Sequence, residues 1–168
     1  MKLNSRRTIL TGLAFLSICA FWQMYDSVIP LILTKTFHMN ETFSGAIMAA
    51  DNVLALFLLP FFGARSDKTN TKIGKRMPYI LFGTGCAVIL MNLLPLMDNS
   101  YAAAPSGFKT ASFVIVLGLL LVAMGTYRSA AVALMPDLTP KPLRSRANAI
   151  INLMGAVGGI LYLAVAAV

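Results

Sequence analysis

Five apolar runs divide the chain, at residues 8–34, 41–64, 77–97, 110–134 and 147–168, with short polar gaps between them. A helix needs about 20 mainly apolar residues to cross a bilayer, and each run reaches that length. In lipid the backbone must satisfy its own hydrogen bonds, so runs of this kind read as helices. The pattern predicts an all-α integral membrane protein with about five transmembrane helices.

Polar positions inside the runs are few and grouped. The first run is apolar to Phe21, then changes to Trp22-Gln23-Met24-Tyr25-Asp26-Ser27, with Trp22, Gln23, Asp26 and Pro30 sharing a helix face. The second opens after Asn40 with Gly45, Ala46, Ala49 and Ala50, whose spacing suits close helix approach, followed by Asp51-Asn52. Pro78 opens the third, a favoured first-turn position. The fourth carries Gly125-Thr126-Tyr127-Arg128-Ser129, and the fifth a Gly155/Gly159 pair.

Charge gives these spans a direction. The chain is 58% hydrophobic and 12% charged, with mean hydropathy +0.76 and net charge +8. In a soluble protein that balance would suggest nucleic acid. Here the cations sit in alternate gaps. Lys2, Arg6 and Arg7 precede the first span, Arg65, Lys68, Lys72, Lys75 and Arg76 follow the second, and Lys141, Arg144 and Arg146 follow the fourth. The other two gaps hold only Lys35 and Lys109. The positive-inside rule therefore predicts a cytoplasmic N-terminus and no nucleic-acid partner. The first run is too long and too polar at its end for a signal peptide. The last ends at Val168 without a polar cap, which leads us to expect the front of a longer protein.

Asp26, Asp51 and Arg128 lie inside spans. Charges there are costly, and they normally face a bundle interior or a water-filled cavity. Both acids lie about 12 Å from the outer face at 1.5 Å per residue, with Arg128 deeper. The trio reads as a polar-substrate and proton site, or as a static ion pair that locks the bundle. Trp22 and Tyr25 are candidates for stacking on a sugar ring or for interface anchoring. Gln23 and Asn52 could hydrogen-bond hydroxyls. His38 reads as a solvated loop residue, and Cys19 and Cys86 as buried free thiols. There is no metal-ligand cluster, nucleophile–base spacing or phosphate loop, so neither a cofactor nor enzymatic activity is expected.

Two motifs narrow the class. Gly63-x-x-x-Asp67-Lys68, followed by Gly74-Lys75-Arg76 and Pro78, lies between spans 2 and 3. Asp137-Leu138-Thr139, Arg144-Ser145-Arg146-Ala147-Asn148, Gly155 and Gly158-Gly159 lie around spans 4 and 5. The first resembles the signature loop of the major facilitator superfamily. Together they resemble its glycoside–cation and sucrose–proton symporter branches.

The resemblance implies a cell-membrane transporter of two six-span halves working by alternating access, of which residues 1–168 would be most of the first half. Its implied partners are a saccharide, protons, the lipid bilayer and the missing C-terminal half. The Gly63–Arg76 loop would close the cytoplasmic side. Where sodium-using relatives carry paired acids before the span 2 proline, this chain has Ala55 and Leu59 before Pro60, which favours protons. A second reading is a non-transporting membrane subunit that associates through glycine-rich spans 2 and 5.

Overall fold

The computed structural model describes the backbone of residues 5–167 and the side chains of residues 8–167 other than Asp51. Lys2 and the side chains of Arg6 and Arg7 lie outside the described residues. Five long helices follow one another: α1 (Ser5–Lys35), α2 (Glu41–Lys68), α3 (Met77–Ala103), α4 (Gly107–Leu138) and α5 (Arg144–Ala166). A single 3₁₀ turn, Lys141–Leu143, leads into α5. No strand occurs among the described residues. All five helices are long and apolar enough to span a membrane.

The helices overrun the apolar runs. The stretch from Gly63 to Lys68, expected in a loop, is the last turn and a half of α2, so the true connector is only 69–76. Likewise α3 continues to Ala103, and the following loop shrinks to three residues. The apolar run marks the lipid-crossing length, whereas helical hydrogen bonding continues wherever the backbone still has partners. Asn40 caps α2, its side chain accepting from the Thr42 backbone N–H at 3.2 Å; such a cap contributes about 1 kcal/mol. Pro78 sits in the first turn of α3, as expected. Pro30, Pro60, Pro95 and Pro136 lie inside helices that run on through them.

The described residues form two compact units, 5–28 with 131–167 and 29–130. In the second unit, Ile29, Leu33, Leu94, Phe113, Leu120 and Met124 have no exposed surface. At one end of this core Phe37 stacks on Tyr101, with ring centroids 4.2 Å apart, and meets Phe113 at 4.6 Å. Further along, α3 and α4 close tightly at Gly83. A Cβ there would lie 2.8 Å from the Tyr127 backbone nitrogen, so only glycine fits.

The first unit packs α5 against α1. A methyl on Gly158 would overlap the Leu16 carbonyl oxygen, and one on Gly155 would lie 2.9 Å from Cys19 Sγ. Gly159, the second member of the expected pair, is looser, 3.9 Å from Gln23 Oε1 by the same measure. A tight face thus recurs at three residues rather than four. The span 2 residues Gly45, Ala46, Ala49 and Ala50 behave differently: all four are exposed, and Gly45 has nothing within 4 Å of a Cβ position.

Candidate functional site

The junction of α2 and α3 is built around one arginine. Arg76 immediately precedes α3 and folds back over the end of α2, where its side chain is only 7% exposed. Its Nη1 donates to Ser66 Oγ at 2.6 Å and to the Gly63 carbonyl at 3.4 Å. Its Nη2 pairs with Asp67 Oδ1 at 2.5 Å. The planar fork of the guanidinium suits three acceptors on one helical turn. A cation at a helix C-terminus also meets the negative end of the helix dipole. Because the Asp67 side chain is 60% exposed, solvent screens the ion pair, and the buried bond to Ser66 fixes the geometry.

Neighbouring contacts brace this latch. Thr69 Oγ1 and Tyr79 Oη share a hydrogen bond of 2.9 Å, tying the end of α2 to the first turns of α3. Gly74 donates its N–H to the Thr71 carbonyl at 3.0 Å, and Thr71 Oγ1 donates to the Gly74 carbonyl at 2.6 Å. Gly74 has φ +110°, so the chain turns there in a region that L side chains rarely adopt. Lys68 and Lys75 are exposed. One turn earlier in α2, Ser129 Oγ donates to the Leu59 carbonyl at 2.7 Å, one residue before Pro60. A Cβ at Gly63 would lie 3.3 Å from that hydroxyl.

Three further candidates share α4 and α5. Arg144 Nη2 donates to the Pro136 carbonyl at 2.9 Å and Nε to the Thr139 carbonyl at 3.3 Å. It therefore caps the end of α4, whose last carbonyls have no helical donor. Asp137 and Arg146 are exposed on either side of this cap.

The polar turn of α1 belongs to the first unit. Trp22 and Tyr25 have ring centroids 6.2 Å apart, tilted by 50°. Tyr25 has no exposed surface, so of the two only the partly buried Trp22 keeps a face that a ligand could meet. Gln23 is partly buried and Asp26 exposed, and Ser27 Oγ donates back to the Gln23 carbonyl at 2.8 Å. Arg128 is partly buried on α4 in the second unit, and Asn52 is exposed on α2. The Asp51 side chain lies outside the described residues.

Ser66, Ser129 and Tyr79 were not singled out as site residues from the sequence. Ser66 gave the strongest available sign, a small polar residue one position before the motif's aspartate. The Ser129–Leu59 contact joins residues 70 positions apart, and no spacing within either helix points to it.

Comparison with known proteins identifies the class to which these membrane-length helices belong. The family model of the Major Facilitator Superfamily matches residues 11–168. The chain belongs to that superfamily and is a multi-pass membrane protein. Among its relatives, sucrose transport protein SUC3 of Arabidopsis thaliana is 33% identical over 139 residues, which is 76% of this chain and 23% of the relative. Sucrose transport protein SUT3 of Oryza sativa subsp. japonica is 28% identical over 170 residues, covering 90% and 33% respectively. The chain spans about a quarter to a third of the length of these curated relatives. No solved structure matches it.

Proposed function

We propose that the protein is a secondary transporter that moves a saccharide together with protons by alternating access, with residues 1–168 forming most of its N-terminal six-helix half. The observation that carries this reading is the α2–α3 latch. Arg76 holds Gly63, Ser66 and Asp67 in one rigid corner, within a chain whose relatives include sucrose transport proteins.

In this reading the N-terminus and the 69–76 connector are cytoplasmic, in the cell membrane, and the latch stiffens α2 and α3 so that they move as one body when the cytoplasmic side closes. Arg144 does the same for the α4–α5 junction. Asp26 and Asp51 exchange protons, and Arg128 holds an acid ionised until substrate or proton displaces it. Trp22 offers a ring face to the sugar, while Gln23 and Asn52 bond its hydroxyls. Tyr25, fully buried, orients Trp22 from behind rather than touching substrate.

The second reading, a subunit that associates through glycine-rich spans, loses one of its two surfaces, because Gly155 and Gly158 are taken up by α1. The test is uptake by the full-length protein in vesicles across a panel of labelled mono-, di- and glycosidic saccharides. Saturable uptake of at least one is expected. A correctly folded protein that takes up none contradicts the saccharide reading.

A further inference from the structure

The connector between α2 and α3 presents an apolar side chain that the latch does not use. Ile73 is 66% exposed. Among the described residues every other exposed large hydrophobic lies on one of the five membrane-length helices, where lipid tails can cover it. Ile73 lies between α2 and α3, in a connector that is otherwise polar or charged apart from Gly74. Its conformation is set: Lys72 and Ile73 are the central residues of the turn closed by the Gly74–Thr71 hydrogen bonds. Isoleucine is not a residue that turns favour, so local geometry gives no reason for it.

The surrounding charge identifies what would cover it. Arg65, Lys68, Lys72 and Lys75 are all exposed. Asp67, the one acid between Gly63 and Arg76, is matched by Arg76. Four cations are therefore left around one apolar tip. Both helices end at this connector, so it lies at the level of the lipid headgroups. Clustered Lys and Arg beside a spanning helix attract anionic headgroups. A lysine can hold its charge at that level while its stem and an adjacent apolar side chain enter the acyl boundary.

The geometry points to a lipid-docking element at residues 65–75, in which Ile73 inserts into the bilayer interface while Lys72, Lys75, Lys68 and Arg65 bind anionic headgroups. This rests on α2 and α3 crossing the bilayer and does not depend on what the protein transports.

The experiment places a single environment-sensitive fluorophore on Asn70→Cys, in a chain carrying Cys19→Ala and Cys86→Ala. The chain is reconstituted into vesicles of phosphatidylcholine alone, or with about 30% phosphatidylglycerol, a composition chosen for its negative surface potential. Emission shifts to the blue in the anionic vesicles. The shift falls at least about twofold in Ile73→Ser, in Lys72→Gln/Lys75→Gln, and in about 1 M salt, where the Debye length is about 3 Å. Helical content by circular dichroism, unchanged in each variant, excludes misfolding as the cause. Equal water-like emission in both lipids overturns the inference. Blue-shifted emission in both that is indifferent to charge overturns it too, since protein rather than lipid would then cover Ile73.

Discussion

Arg76 and Ser66 form a buried side-chain pair, Nη1 to Oγ 2.6 Å apart, with Ser66 wholly excluded from solvent. The pair joins the start of α3 to the last turn of α2 across ten residues. It explains why the motif needs an arginine at position 76 beside the lysine at 75: a guanidinium reaches Ser66, Gly63 and Asp67 together, whereas an ammonium offers one point charge.

Loss of that fork should therefore cost more than loss of charge. Arg76→Ala is expected to lower stability by about 2 kcal/mol, the scale of a hydrogen bond to a charged group. Arg76→Lys should recover less than half of it. Asp67→Asn, at an exposed site, should cost under about 1 kcal/mol. Thermal unfolding of the detergent-solubilised chain measures all three, and an Arg76→Lys variant as stable as the parent would show that charge alone suffices.

The close helix approaches make a second, sharper contrast. Gly83→Ala and Gly158→Ala place a methyl against backbone atoms of Tyr127 and Leu16. Each should destabilise by about 1–3 kcal/mol, the cost of overpacking. Gly85→Ala and Gly118→Ala have nothing within 4 Å and should be neutral or slightly stabilising. Equal melting temperatures across the four would mean that the α3–α4 and α1–α5 contacts are looser than described.

Ser129→Ala removes the donor to the Leu59 carbonyl and should cost about 0.6 kcal/mol, the average for interhelical hydrogen bonds in membranes. Gly74→Ala should cost about 1–3 kcal/mol for its left-handed backbone. Because the two sites share no partner, the double variant should lose the sum of the two.

How far the sequence carried varied from place to place. Spans were legible because a bilayer demands long apolar runs, and Pro78 was legible because the first helical turn favours proline. The helical ends at Lys68 and Ala103 were not, since hydropathy follows lipid and helical hydrogen bonding does not. Gly155 was visible as a packing glycine, but its working partner is Gly158 rather than Gly159, because Gly158 is the one that meets the Leu16 backbone. Ser66 and Ser129 were hidden because each acts through a residue outside its own helix, Arg76 and Leu59 respectively. The role of Asp51 rests on sequence alone.

The acids give a functional expectation that separates coupling from folding. Asp26→Asn and Asp51→Asn should each reduce proton-coupled uptake by about an order of magnitude, equivalent to about 1.4 kcal/mol, with protein yield and helical content unchanged. Uptake whose pH dependence is untouched in both variants would remove the two residues from the proton path.

The most direct measurement is proton flux. The full-length protein is reconstituted into sealed vesicles with a pH-sensitive dye inside and no imposed gradient, and a transported saccharide is added outside. The symport reading expects the lumen to acidify in step with sugar entry, and the signal to vanish with a protonophore. Sugar entry with no change in luminal pH would contradict it.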